Sequence, residues 1–520
     1  MAREQGLDLN IAWVSGDEVL GVVEEAIASN SSDFEHLCTG KKLAEWEYKP
    51  VYAQAYLGGL GIAAAFENGA DIVLCGRVSD ASLVIGAAAW WHGWQRTDLD
   101  QLANALIAGH IIECSSYVTG GNYTGFKALE GAGWENLGFP IAEIAQTGEV
   151  VITMTRDWAG EVSVHTCTAQ ILYEIQGPRY YNSDVTAIID EVWFEQLDKN
   201  RVALRGVKAD LPPPTTKIGL TARGLWQAEL HWFMVGLDID AKARMLEAQI
   251  RKELAPHVHR FTKLEFTKNG SVPENPTNQN SATVDFRIFA QAPTSADLSP
   301  RKFLRPCMDP IMQTFPGASP HMDFRQALPK EVYEYWVTLL PQLAISHKVH
   351  LHTGAELEIP PAAKTKEYPR QQPSQPATSN PVHPSRFGET VKAPLGWIVH
   401  ARSGDKGSDA NIGFWVRYAD EYDWLRSLLS IDTIKVLLAE EYMGKPIVRT
   451  SKLLDQLTAD IWQDRFELPK SHAVHFLLRD HLDRGLSVSS TYDFAGKNVA
   501  EFLRARHVDI PVQFLERGKI

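Results

Sequence analysis

The spacing of apolar positions divides this chain into stretches of different period. Two short apolar runs, L-N-I-A-W-V at 9–14 and D-I-V-L-C at 71–75, stop at small polar turns, Ser15-Gly16-Asp17 and Gly76-Arg77-Val78-Ser79-Asp80. Helical patterns follow over 18–28 and 81–91. Strand, polar turn and helix in succession predict halves of parallel βαβ units. A small, glycine-rich stretch over 53–67 and a longer periodic one over 99–114 predict two more helices. From 148 to 175 the pattern turns to strand. Strand-like runs recur at 217–221, 229–235, 264–267 and 282–290, around one amphipathic helix at 240–254. The expected fold class is an α/β N-terminal domain on a mostly parallel sheet, with an α+β portion after it.

Past residue 358 the composition collapses to Pro, Gln, Ser and Lys (P-P-A-A-K-T-K-E-Y-P-R-Q-Q-P-S-Q-P), which predicts a partly extended linker. The domains are therefore placed at 1–356 and 393–515, with the linker at 357–392. In the second domain, strands over 395–400 and 411–417 flank a charged loop. Helices over 419–429 and 431–442, an amphipathic segment over 473–482 and a last helix over 497–506 complete a smaller α+β module. The stretch 455–468 reads as an insertion.

Composition narrows the partners. The 520 residues are 44% hydrophobic and 22% charged, as in soluble globular proteins. With 51 Lys and Arg against 64 Asp and Glu, the net charge of −13 argues against nucleic acid or an anionic membrane as partner. A local basic pocket for an anionic small molecule remains open, as does a homo-oligomer. Five cysteines, an odd number with no C-x-x-C, fit a reducing compartment. Residues 1–10 lack a signal-peptide pattern, and the longest quasi-apolar run, 81–94, is too short to span a bilayer, so a cytoplasmic location is expected. G-x-G-x-x-G and G-x-x-x-x-G-K-[ST] are both absent, which argues against nucleotide-dependent chemistry.

Candidate chemistry gathers at the turns. Asp17 serves either as a helix cap or as a ligand contact at a strand's C-terminal end. Asp80 sits where an N-cap belongs, with Ser79 beside it. Arg77, just past a buried strand and before a helix, is either an anion clamp or half of a surface ion pair. His110 and Glu113 lie three apart on one helix face and are acid–base candidates, with Cys114 next to them. The loop holding Gly120, Gly121 and Asn122 is either an oxyanion nest or an irregular connection that needs glycine. In A-R-S-G-D-K-G (401–407), Arg402, Ser403, Asp405 and Lys406 suit a carboxylate or phosphate, unless the loop is a solvated hairpin turn. His347, His350 and His352 read as an edge strand in preference to a metal site, and no metal is expected.

Several stretches together resemble the acyclic terpene utilisation (AtuA) family. They are I-A-W-V-S-G-D-E-V (11–19), G-A-D-I-V-L-C-G-R-V-S-D-A-S-L (69–83), A-G-H-I-I-E-C-S-S-Y-V-T-G-G-N-Y-T-G-F (108–126), E-I-Q-G-P-R-Y-Y-N-S-D-V-T-A (174–187) and A-R-S-G-D-K-G-x-x-A-N-I-G (401–413). The resemblance implies an α/β domain followed by a ferredoxin-like domain. It also implies a place in the catabolism of citronellol- and geraniol-type terpenoids, through CoA thioesters. Family members begin with a further glycine-rich strand–turn that this chain lacks, so an uncovered sheet edge is expected.

Two functions follow as expectations. The first is a hydratase or lyase acting on an acyl-CoA or carboxylic acid by proton transfer. Glu113, His110 and Asp80 would be catalytic; Asp17, Arg77, Ser79, Gly120, Gly121, Asn122, Arg402, Ser403, Asp405 and Lys406 would bind substrate. No cofactor is expected beyond CoA carried as part of the substrate. The second is a non-catalytic ligand-binding or scaffold partner of acyl-CoA enzymes. Both require the turns near 15, 76 and 115 to face the 402–407 turn.

Overall fold

The computed structural model describes residues 3–30, 32–442 and 464–520. The part of the supposed insertion at 455–463 lies outside the described residues. By backbone contacts the chain forms two units. The first holds Met1–Trp46, Tyr52–Leu220 and Trp336–Ile520; the second holds Glu47–Val51 and Thr221–Tyr335.

The first unit opens with strands Ile11–Ser15 and Ile72–Cys75 side by side and parallel, as the βα pattern predicts. The rest of that sheet departs from expectation. Strand Lys348–His350 pairs antiparallel with Ile11–Ser15, and Glu356–Glu358 pairs antiparallel with Lys348–His350. The sheet is mixed, and the histidine-bearing strand is an inner strand, not an edge. His350 instead stacks on Trp13 at 3.6 Å and hydrogen-bonds the Ser15 hydroxyl at 2.8 Å. Ile72–Cys75 is an edge strand, and its Leu74 is 58% exposed.

Residues 53–67 are not one helix: strand Pro50–Ala55 gives way to helix Leu60–Glu67. This helix crosses Ser82–His92, and a Cβ on Gly86 would lie 2.5 Å from the Gly59 carbonyl oxygen, so the two backbones touch. Helix Leu99–Ile112 is the buried axis of the unit: Leu102, Ala103, Ala105, Leu106, Ile107 and Ala108 have no exposed surface. An apolar surface on every face suits such a helix.

The run at 163–175, read as a strand from its β-branched residues, is helix Val164–Ile171. Ser163 caps it: its hydroxyl accepts the Thr166 N–H, and its own N–H donates to Thr166 Oγ1. Packing of Cys167 and Ile171 against the Leu99–Ile112 core outweighs strand propensity.

The C-terminal portion is an antiparallel sheet of His400–Lys406, Asp409–Trp415, Ala473–Leu478 and Arg465–Leu468, in that order. The segment expected to be amphipathic is thus an inner strand, buried at all six positions. Helices Ala419–Leu428, Ile431–Leu438 and Val499–Ala505 share its core with Ile412, Phe414 and Phe476. On the other face, Trp415, Phe466 and Leu477 join the core around Leu99–Ile112. The stretch between the two portions docks by specific hydrogen bonds: Gln372 donates to Gln176 O and Arg179 O and accepts the Arg179 N–H.

In the second unit, strands Lys263–Asn269 and Thr283–Ala292 pair antiparallel. Residues Trp226–Val235 extend the same sheet, and helix Ile239–Leu254 covers it through Leu246, Ile250 and Leu254. Among the described residues no helix is long and apolar enough to cross a membrane.

Candidate functional site

The turn after strand Ile72–Cys75 is held by Asp17. Its carboxylate accepts the Arg77 N–H at 2.7 Å and the Gln54 amide at 3.3 Å. A Cβ on Gly76 would lie 2.4 Å from Asp17 Oδ1, which makes glycine necessary. Ser79 is likewise engaged, 2.6 Å from both Ser82 Oγ and Asn182 Nδ2. Asp80 is not the N-cap, a position held by Ala81. Asp80 instead accepts from Arg77 Nη1 at 2.9 Å, in a half-exposed pair.

At the end of helix Leu99–Ile112, the Gln170 amide donates to the carbonyls of His110 and Glu113, tying off the last turn. His110 is buried against Tyr180, with ring centroids 5.0 Å apart, and its Nε2 has no partner among the described residues. Burial, with help from the Lys406 charge, lowers its pKa to about 4, so the ring is neutral near pH 7. The Cys114 thiol donates to Glu113 Oε1 at 2.9 Å. Burial and this acceptor push the thiol up to about 12, which disarms it as a nucleophile. Burial, together with the Glu174 and Asp80 carboxylates, raises the Glu113 pKa against the opposing pull of Cys114 and Lys406.

The loop after Cys114 turns back on itself. The N–H groups of Gly120 and Gly121 donate to Tyr117 O and Ser116 O, so these two amides close turns and do not form a nest. The Asn122 carbonyl accepts from Arg402 Nη1 at 3.2 Å.

The supposed charged loop of the C-terminal portion is strand. His400–Lys406 and Asp409–Trp415 meet in a tight turn at 407–408. Arg402 and Gly404 are buried on it, and a Cβ on Gly404 would lie 2.4 Å from the Tyr173 ring. Arg402 is 4.5 Å from the Tyr117 centroid and 4.2 Å from that of Tyr173. Lys497 donates to Tyr173 OH at 2.6 Å. Neither cation has a carboxylate partner among the described residues, and Arg402 Nη2 is buried without a hydrogen bond. Lys406 pairs with Glu174 at 3.1 Å. Burial works to raise the Glu174 pKa, but Lys406, Tyr173 and Lys497 outweigh it and hold the carboxyl low. Burial raises Asp405, and Glu174 adds to the effect. Ser403 faces away and accepts the Ala500 N–H at 3.3 Å.

Asp80, His110, Glu113, Asp405 and Lys406 thus share one electrostatic neighbourhood, with Arg402 against the Tyr173 ring, while Asp17 and Ser79 brace the turn that carries Arg77. Sequence reasoning missed Tyr117, Tyr173, Glu174, Lys497 and Asn411. Asn411 accepts the Glu174 N–H and donates to Leu172 O, fixing the 172–174 backbone from across the domain. A separate cavity of about 230 Å³, lined by Arg179, Asp190, Ser374 and Arg465, contains none of the expected residues.

The fold is a mixed α/β body packed against a small antiparallel C-terminal sheet. The model of the acyclic terpene utilisation family protein AtuA matches residues 1–351, and that of the AtuA ferredoxin-like domain matches 393–509. The chain belongs to the AtuA family. No curated protein and no solved structure matches it.

Proposed function

We propose that this chain is an enzyme of acyclic terpenoid or branched acyl-CoA and carboxylic acid catabolism, working by hydratase- or lyase-type proton transfer. The observation that carries the reading is a carboxyl group with a raised pKa, Glu113, bonded to the Cys114 thiol on which two cations without a carboxylate partner, Arg402 and Lys497, also act. A carboxyl whose pKa is raised toward the operating pH can deliver a proton as well as take one. Cations stacked on tyrosine rings attract an anionic or carbonyl oxygen strongly where water is scarce. In this reading Arg402 and Lys497 hold the substrate's oxygen or phosphate end. Glu113 moves the proton, and the Cys114 thiol orients it. Lys406, Asp405 and the Arg77–Asp80 pair set the local field. The family description, acyclic terpene utilisation, supports the metabolic setting.

The test is an assay of purified protein with unsaturated terpenoid acyl-CoAs, followed by loss of the enoyl absorbance. Glu113→Gln is expected to lower kcat by roughly 10²–10⁴-fold, and Arg402→Gln to lower kcat/KM. Turnover that both variants leave unchanged removes these roles. Ligand binding without turnover in the wild type favours the scaffold alternative.

A further inference from the structure

Lys217 belongs to the part of strand Thr215–Val235 that lies in the first unit. Its ammonium sits 3.9 Å from the centroid of the Tyr56 ring, and the Tyr56 N–H donates to the Lys217 carbonyl at 2.9 Å. Among the described residues the amine has no hydrogen-bond or ion-pair partner. The charged groups that act on it are those of the proposed site: Lys406, Asp80 and Glu174.

Arg77 neutralises Asp80 at 2.9 Å, and Lys406 neutralises Glu174 at 3.1 Å. Tyr56 contributes a ring face and no formal charge. Among the described residues Lys217 is left without a carboxylate in direct contact. Burial disfavours its charge, with Lys406 adding to the effect and Tyr56, Asp80 and Glu174 opposing it. Unpaired charge in a partly desolvated setting is unfavourable, and a paired one is far less so. Lys217 is also not sealed, since the residue keeps part of its surface open to solvent. An anion that reaches the amine would meet it without a hydrogen-bonding partner. One monoanion balances the group, whereas a dianionic phosphate would place excess negative charge against Asp80 and Glu174.

We propose that Lys217 is the anchor for a substrate carboxylate, an anion-binding point additional to Arg402 and Lys497. The assignment rests on the reading of this cluster as a substrate site and makes it more specific: the ligand carries a free monoanionic carboxylate.

The test uses the full chain and three probes: 3-methylcrotonate, its methyl ester, and inorganic phosphate. Acetylation of Lys217 by acetic anhydride is followed by peptide mass spectrometry, with exposed Lys127 as the internal reference. The acid is expected to slow labelling of Lys217 by about 10-fold or more at saturation, the scale of a charge-assisted hydrogen bond, while the ester and phosphate leave it unchanged. By calorimetry, Lys217→Met is expected to weaken binding of the acid by about 10-fold or more, and Lys217→Arg to keep most of it. Equal protection by acid and ester, or no protection by the acid, overturns the anchor. Stronger protection by phosphate overturns its assignment to a carboxylate. The labelling uses wild-type protein, so a poorly folded variant does not disable the test. Protection of Lys217 without acyl-CoA turnover supports the anchor while removing the enzymatic reading; turnover that depends on Glu113 with Lys217 unprotected does the reverse.

Discussion

The hairpin at 400–415 and the strap at 357–392 are both rich in polar residues, and the structure treats them in opposite ways. In the hairpin, Asp409 and Asn411 have no exposed surface and Arg402 is only 4% exposed. Their partners come from far along the chain: Asn411 holds residues 172–174, and Asp409 accepts from Arg479 and from the Asp480 N–H. The strap stays mostly at the surface. It is nonetheless pinned, by Tyr368 OH to Leu211 O, by Gln372 to the 176–179 turn, and by Thr378 to Arg426. A polar residue's role is set by whether a remote segment excludes water around it. Its own neighbours in the sequence do not decide that.

If this contrast is right, changes in the hairpin cost much more than changes in the strap. The largest effect is expected for Asp409→Ala, which strips a buried ion pair of one partner and should cost about 3–5 kcal/mol in urea unfolding. Next comes the pH dependence of the helix end on which the hairpin's Lys406 acts. His110 has its pKa depressed to about 4 in the folded protein. The unfolded chain therefore binds the proton first as pH falls below the ordinary histidine value. Stability from this group is complete above about pH 6.5 and is lost toward pH 4, at up to roughly 1.4 kcal/mol per pH unit. Unfolding curves of wild type and His110→Asn across that window check it, the variant having the shallower slope. Gly404→Val drives a side chain into the Tyr173 ring and should cost about 1–3 kcal/mol, with loss of any ligand affinity that depends on Arg402. The smallest effect belongs to the strap: Tyr368→Phe should cost about 1 kcal/mol or less. A strap variant as damaging as Asp409→Ala would break the comparison.

What was legible in the sequence was whatever local pattern decides. The parallel pair at 11–15 and 72–75, the helix at 239–254 and the order of helices after 418 follow from periodicity and turn chemistry. Illegible features depended on remote contacts. Val164–Ile171 looks like a strand because Val and Thr favour strands, but its Gln170 and Cys167 serve a helix more than fifty residues earlier. Burial of the hairpin's Arg402 was hidden because the rings that cover it lie more than two hundred residues away. Lys497 reads as an ordinary surface lysine until Tyr173, 324 positions distant, is placed against it. Lys217 gave no signal at all, since an absent partner leaves no motif.

Arg402 lies between two tyrosines that the other family-matched segment supplies. Neither segment owns the cage: one brings the walls and the other brings the guanidinium. A gene split within the strap would yield products that each inherit half of it, and recombining them would restore the cage only through faithful reassociation. The chain's continuity through residues 357–392 thus guarantees equal dosage of both halves of one chemical environment.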